Sequence, residues 1–201
     1  MLKTALPQPQ TKPWPAQGEW TYDDYLRLPD DGRRYEIIKG VLYMVNAPSF
    51  EHQFAVAQLL KKMGLHADEH NLGVVLTAPF EVHLSETTRP VQPDVLFIRA
   101  GNHPLPDAPF FEGAPDLVVE VLSPATTRTD RFIKFNAYEE AGIPEYWIVN
   151  PKTRSVEVFT LSEGGEYALK GEYTAGETIE SEVLSGLKIP AATLFAPPRQ
   201  G

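Results

Sequence analysis

The apolar positions of this 201-residue chain fall into short runs separated by Gly- and Pro-rich breaks, and the period of each run predicts its element. Thr21 with Asp24 marks the first turn of a short helix, which Pro29-Asp30-Asp31-Gly32 ends. Tyr35 to Val45 alternates loosely around Lys39-Gly40 and predicts a hairpin. The longest helical pattern starts with Ser49 as its cap and runs to about His70. Phe54, Ala57, Gln58, Leu59, Leu60, Met63 and Leu65 form its expected apolar face, and Asn71-Leu72-Gly73 closes it. One strand is expected from Val74 through Pro79 to Leu84, then a polar turn over 85–89 and a strand over Gln92–Ile98. Residues 99–115, with four prolines, read as an irregular surface loop able to close over a cleft. A buried strand over Leu117–Leu122 is followed by a helix from about Arg128 to Ala141, ended by Gly142 and Pro144. Then come a strand over Glu145–Val149, a hairpin through Asn150 to Leu161, weaker strands over 164–189 and a last turn over Ala191–Phe195. A helix between two strands permits a crossover to a parallel neighbour, so the expected class is α/β (α+β) with a mixed sheet. Residues 1–18, with Pro7, Pro9, Pro13 and Pro15, read as a flexible tail, 19–196 as a single domain and 197–201 as a flexible end.

One position breaks the pattern. Along Leu117–Leu122, Leu117, Val119 and Val121 face one side while Val118, Glu120 and Leu122 face the other, so Glu120 stands between apolar neighbours. Burying an unpaired carboxylate costs several kcal/mol, unless a cation, a donor or a wet cleft offsets it. Asp94, behind Pro93 at the head of another strand, supplies a second acid, and paired hard oxygens suit Mg²⁺ or Mn²⁺. Asp130, Lys134 and Tyr138 are spaced four apart and share a helical face. Plainer readings stand beside these. Asp94 suits a turn, and Glu120 or Glu36 suits a solvent-facing strand position. Asp130 and Lys134 suit a wet i,i+4 pair worth ~0.3–0.5 kcal/mol, with Phe132, Phe135 and Ala141 filling the buried stripe. His52 suits a helix start.

Tyr35-Glu36-Ile37-Ile38-Lys39-Gly40, the Pro93-Asp94 strand, Glu120-Val121-Leu122-Ser123-Pro124, and Asp130 through Tyr138 followed by Gly142-Ile143-Pro144-Glu145-Tyr146-Trp147 form an ordered set. That set resembles the Uma group of restriction-endonuclease-like proteins, within the PD-(D/E)xK nuclease superfamily, from about Thr21 to about Leu161. The resemblance implies a restriction-endonuclease-like mixed sheet flanked by helices, here with extra C-terminal strands. It also implies Mg²⁺-dependent (or Mn²⁺-dependent) hydrolysis of DNA phosphodiester bonds. Asp94 and Glu120 would hold the metal, Glu36 would complete its shell directly or through water, and Lys134 would position or deprotonate the attacking water. Tyr138 and His52 are additional candidates, His52 as a base behind the metal ligands. One departure stands out: the superfamily pattern puts lysine two residues after the second acid, and this chain has Leu122 there. Lys134, on the following helix, is the replacement.

Composition narrows the partners. The 42% hydrophobic and 10% aromatic content suits a globular chain, and with no cysteine there is neither a disulfide framework nor a thiolate metal site. No N-terminal apolar core of a signal peptide and no run of ~20 apolar residues is visible, so a soluble, cytoplasmic protein without a membrane partner is expected. A net charge of -9 argues against broad coating of nucleic acid, but Arg33, Arg34 and Lys39 beside Glu36, and Arg128 and Arg131 beside Lys134, leave room for a local phosphate site. DNA is the expected partner. A homodimer is also expected, because cutting both strands of a duplex generally needs two centres, and Tyr146, Trp147 and Phe159 offer apolar surface, although they equally suit the core. Histidine spacing excludes a zincin, and no GxSxG, P-loop or GxGxxG is present. Two other readings remain: a non-catalytic or weakly active nuclease-fold protein in nucleic-acid binding or regulation, which the acidic charge and displaced lysine favour, and a two-carboxylate glycosidase, for which no sugar-binding aromatic pattern appears beside either acid.

Overall fold

The computed structural model describes residues 12–124 and 126–195. Its elements are α1 (Tyr22–Tyr25), β1 (Arg34–Ile38), β2 (Val41–Val45), α2 (Phe50–His70), β3 (Gly73–Thr77), β4 (Glu81–His83), β5 (Val95–Arg99), β6 (Phe110–Glu112) and β7 (Leu117–Val121). A π-helical turn (Thr129–Lys134) then leads into α3 (Phe135–Glu140), β8 (Glu145–Asn150), β9 (Ser155–Leu161), β10 (Tyr167–Tyr173), β11 (Thr178–Glu180), β12 (Lys188–Pro190) and a 3-10 turn (Ala191–Leu194). The main sheet has six strands in the order β10-β9-β8-β7-β5-β3. β7 and β8 run parallel across the helical connection, while the other neighbours are antiparallel, which makes the sheet mixed as expected.

β7 lies inside this sheet and is buried along its whole length, the reason its sequence reads as an almost unbroken apolar run. Its period of two divides the protein. Leu117, Val119 and Val121 join Val95, Phe97 and Trp147 in a core under α2, while Val118 and Leu122 join Leu96, Ile98, Tyr138 and Ile148 in a second core on the α3 side. Glu120 therefore faces α3, flanked by Val118 and Leu122 as the alternation requires.

α2 is capped by Ser49, whose side chain accepts the His52 N–H, and ends at Asn71 in the left-handed conformation, φ 53°. Its buried stripe is His52, Ala55, Leu59, Met63 and Ala67. This corrects the expected face: Leu60 and Leu65 are exposed, because the stripe that meets the sheet steps through Ala55, Leu59, Met63 and Ala67 at four-residue intervals and leaves both outside it. The hairpin of β1 and β2 turns through Lys39 and Gly40 at φ 51° and 70°, a pair of positive values that suits a two-residue turn. Gly18 and Trp20 donate to the Gly40 carbonyl, and a Cβ on Gly40 would stand 2.3 Å from the Gly18 oxygen, so only glycine fits.

Four expectations need correcting. The strand expected over Val74–Leu84 is two strands in different sheets, because Pro79 has no N–H to carry the ladder across. Residues 99–115 do not close over the cleft: Phe110–Glu112 pairs in parallel with Glu81–His83, and Phe110 stacks on His83. Phe132 is 65% exposed and does not fill the helical stripe. Tyr146 and Trp147 are fully buried in β8 and offer no dimer surface. Of the expected N-terminal tail, residues 1–11 lie outside the described residues, but Lys12 pairs with Asp24, Trp14 stacks on Trp20 and Gly18 bonds Gly40. The C-terminal end expected from 197 also lies outside them. No helix among the described residues is long and apolar enough to cross a membrane.

Candidate active site

β1, the entrance of β5, β7 and the π-helical turn bring acids to one cleft. β1 carries Glu36 and is tied to the segment before β5 by bonds from Ile37 N–H to Pro90 and from Gly40 N–H to Thr87. The Gln92 N–H donates to Glu36 Oε1 at 2.7 Å, which places this acid beside the sheet. Asp94 stands just before β5, and its Oδ2 accepts the Val121 N–H at 2.8 Å and lies 3.1 Å from His52 Nε2. Glu120 of β7 accepts Lys134 Nζ at 3.0 Å and the Tyr138 hydroxyl at 2.6 Å, both on Oε1. Lys134 also donates to Glu36 Oε1 at 3.0 Å, so one ammonium bridges the two glutamates. Glu36, His52, Asp94, Glu120 and Lys134 line the same cleft of about 80 Å³, while Tyr138 braces Glu120 from behind. Space of that size holds several waters or a hydrated cation.

The bonding divides each carboxylate in two. Glu36, Asp94 and Glu120 each give one oxygen to the protein, and the second oxygen of each has no donor among the described residues. A buried acid with a purely structural task looks different. Glu145, fully buried in β8, bonds Trp147 Nε1 through Oε1 at 2.5 Å and the Glu182 and Val183 N–H groups through Oε2 at 2.8 and 2.9 Å. Both of its oxygens are satisfied, as burial demands. The cleft acids stop half-way.

Asp130 is a fourth acid in the cleft wall, 3% exposed, so the wet Asp130–Lys134 pair is not what forms. The π-helical turn carries Asp130 and Lys134 on its inner side and hands Tyr138 to α3 below them, leaving Phe132 outside. Burial, together with Asp94, Asp130 and Glu36 around it, lifts Glu120 well above the usual carboxylate range despite Lys134. Burial likewise raises Asp130 to about 6, against the opposing pull of Lys134 and the Thr126 hydroxyl. Burial alone would lower Lys134, but Glu120, Glu36, Asp130 and Asp94 outweigh it and hold the group firmly as ammonium. Four acids thus surround the Lys134 ammonium. The site carries a surplus of negative charge that a proton or a second cation relieves.

Hard carboxylate oxygens are the donors Mg²⁺ and Mn²⁺ take, so the residues present fit such an ion. Among the described residues no three His, Asp or Glu side chains are already drawn into a metal cage. Mg²⁺ seldom needs one: it keeps several waters and binds through one or two carboxylates and substrate phosphates. All six residues singled out from the sequence meet at this site. Two that were not are Asp130, whose spacing from Lys134 was the available signal, and Gln92, which gives its N–H to Glu36; its buried Oε1, like His52 Nδ1, has no partner among the described residues.

A family model described as "Uma2: Putative restriction endonuclease" matches residues 22–192 of the chain. No curated protein matches it. Among solved structures, the crystal structure of a "putative nuclease belonging to DUF820" from Anabaena variabilis ATCC 29413 aligns with a TM-score of 0.74 at 18% identity, covering 87% of this chain and 97% of that one. At that identity the likeness speaks for the fold.

Proposed function

The chain belongs to the Uma2 family, and from that premise and the half-bonded acid cluster we propose that it is an endonuclease hydrolysing DNA phosphodiester bonds with Mg²⁺ or Mn²⁺. The observation that carries this reading is the set of three acids that line a single cleft beside a buried ammonium, each with one oxygen unclaimed among the described residues. Asp94 and Glu120 would hold the ion, with Glu36 reaching it directly or through water. When bound, it supplies charge stabilisation at the reacting phosphate. The chain's own residues do the rest. Val121 N–H and His52 fix Asp94, and Tyr138 and Lys134 fix Glu120, so the unclaimed oxygens are held in place before a ligand arrives. Lys134 has three donors, two of them given to Glu36 and Glu120, and the third remains for a water or a phosphate oxygen. Held as ammonium by the surrounding acids, Lys134 is suited to position and neutralise. A water attacks phosphorus, the bond to the leaving sugar oxygen breaks, the proton the water gives up reaches that oxygen through solvent to leave a hydroxyl, and the phosphate stays on one end of the cut.

A second reading, a nuclease-fold protein without turnover that binds or regulates nucleic acid, draws on the ammonium closing Glu36 to Glu120 and on the lack of a ready metal cage among the described residues. Incubation of supercoiled plasmid with the protein separates the two. The endonuclease converts it to open circles with Mg²⁺ and not with chelator, and Asp94→Asn loses about 10²-fold or more of the rate, the scale of one removed electrostatic group. Intact plasmid under every metal condition leaves the second reading.

A further inference from the structure

Besides Lys134, one arginine or lysine among the described residues, Arg34, lines the cleft. It lies on β1 two residues before Glu36, so the strand's period of two puts both on one face, about 7 Å apart along the chain. Arg34 is half-buried, and its side chain has no hydrogen-bond or ion-pair partner among the described residues. That sets it apart from Arg27, Arg33, Arg89, Arg99 and Arg131, each of which is paired with a carboxylate. Glu36, the nearest acid in sequence, is already engaged by Lys134 and the Gln92 N–H. Arg34 also lines three shallower depressions around the cleft mouth, one past Phe80 and Gln92, one past Met44 and Pro48, and one past His52 and Pro79. Arg34 therefore borders both the acid cluster and the three depressions beside it.

A planar fork of five N–H donors, partly desolvated and left without an acceptor, is complementary to a phosphate, which accepts two of them side by side. The cleft itself is acidic and repels a polyanion, so a strand entering it needs a fixed cation at the mouth. We propose that Arg34 is the phosphate clamp of this site: it binds a backbone phosphate of the DNA strand next to the one hydrolysed and sets that strand's register against Asp94 and Glu120. This rests on the nuclease reading. Arg34 is a positioning residue and does not touch the bond that breaks.

The test is fluorescence anisotropy with a labelled duplex in Ca²⁺ over a series of KCl concentrations, beside plasmid nicking in Mg²⁺. Wild type, Arg34→Ala, Arg34→Gln and Arg34→Lys are compared at matched melting temperature, with Arg99→Ala, whose partner is Asp116, as the control. Losing one phosphate contact lowers the slope of log affinity against log salt by ~0.9. Arg34→Ala and Arg34→Gln are expected to show that loss, with affinity and KM worse by about tenfold, the scale of one charge-assisted contact, and little change in kcat. Arg34→Lys should keep the wild-type slope while regaining only part of the affinity, since it cannot bind bidentately. Wild-type slope, affinity and KM in both Arg34→Ala and Arg34→Gln would overturn the proposal and leave the nuclease reading intact. A wild type that neither binds the duplex nor nicks plasmid overturns that reading, and the clamp with it.

Discussion

Asp130 carries the clearest consequence at the scale of single residues, because its folded-state behaviour opposes the fold. Its carboxyl rises from an ordinary 3.8 to about 6, chiefly through burial. Below pH 3.8 it is protonated in both folded and unfolded chains; between 3.8 and about 6 only the folded state keeps the proton, so stability falls as pH rises through that window and is flat above it. The loss for a group 3% exposed is about 3 kcal/mol at 1.36 kcal/mol per pH unit. Asp130→Asn should therefore gain on wild type between pH 4 and 7 in urea melts, by up to about 3 kcal/mol. Stability curves that run parallel across that window would show Asp130 to be solvated. The same surplus of charge explains why some of the site was readable and some was not. Glu120 stood out because an acid between Val118 and Leu122 is costly in any fold. Asp130 did not, since a four-residue spacing to lysine describes a wet surface pair as well as a buried one.

Among the elements, β7 was the most legible, its alternation alone fixing which side Glu120 faces. The helix after it was harder. A strict 3.6-residue period puts Phe132 and Phe135 in a buried stripe, whereas the π-helical turn over Thr129–Lys134 widens the coil and brings Asp130 and Lys134 inward. Phe132→Ser should consequently shift stability by less than about 0.5 kcal/mol, as an exposed substitution does, while Ala137→Asp, placed in the core beside Tyr138, should cost over about 3 kcal/mol in the same melts. A large loss from Phe132→Ser would mean that the turn is regular α-helix. The split of Val74–Leu84 at Pro79 was visible in principle, since proline stops a ladder, but the partner of β4 was not. Its pairing with β6 joins segments nearly thirty residues apart, as the docking of β1 on the Pro90 segment joins segments more than fifty apart, and neither leaves a local signal.

For the whole molecule, a net charge of -9 and a small acidic cleft leave the proposed nuclease room to meet DNA at only a few points. The expected homodimer must use a surface other than Tyr146 and Trp147, which are buried. Phe50 and Leu65 on the outer side of α2 are exposed apolar residues available for it. Light scattering at micromolar concentration should give twice the mass of the chain; a monomer would remove the dimer and leave a nickase. The central claim, that Glu120 helps hold a divalent cation in an acid cluster with too little positive charge, is tested most directly by thermal melts of wild type and Glu120→Gln, each with Mg²⁺ or Mn²⁺ and with chelator. An ion that binds only the folded protein adds ~2.7 kcal/mol at ~100 times its dissociation constant. Wild type should show that gain and Glu120→Gln should lose it; equal metal responses in the two proteins would contradict the account.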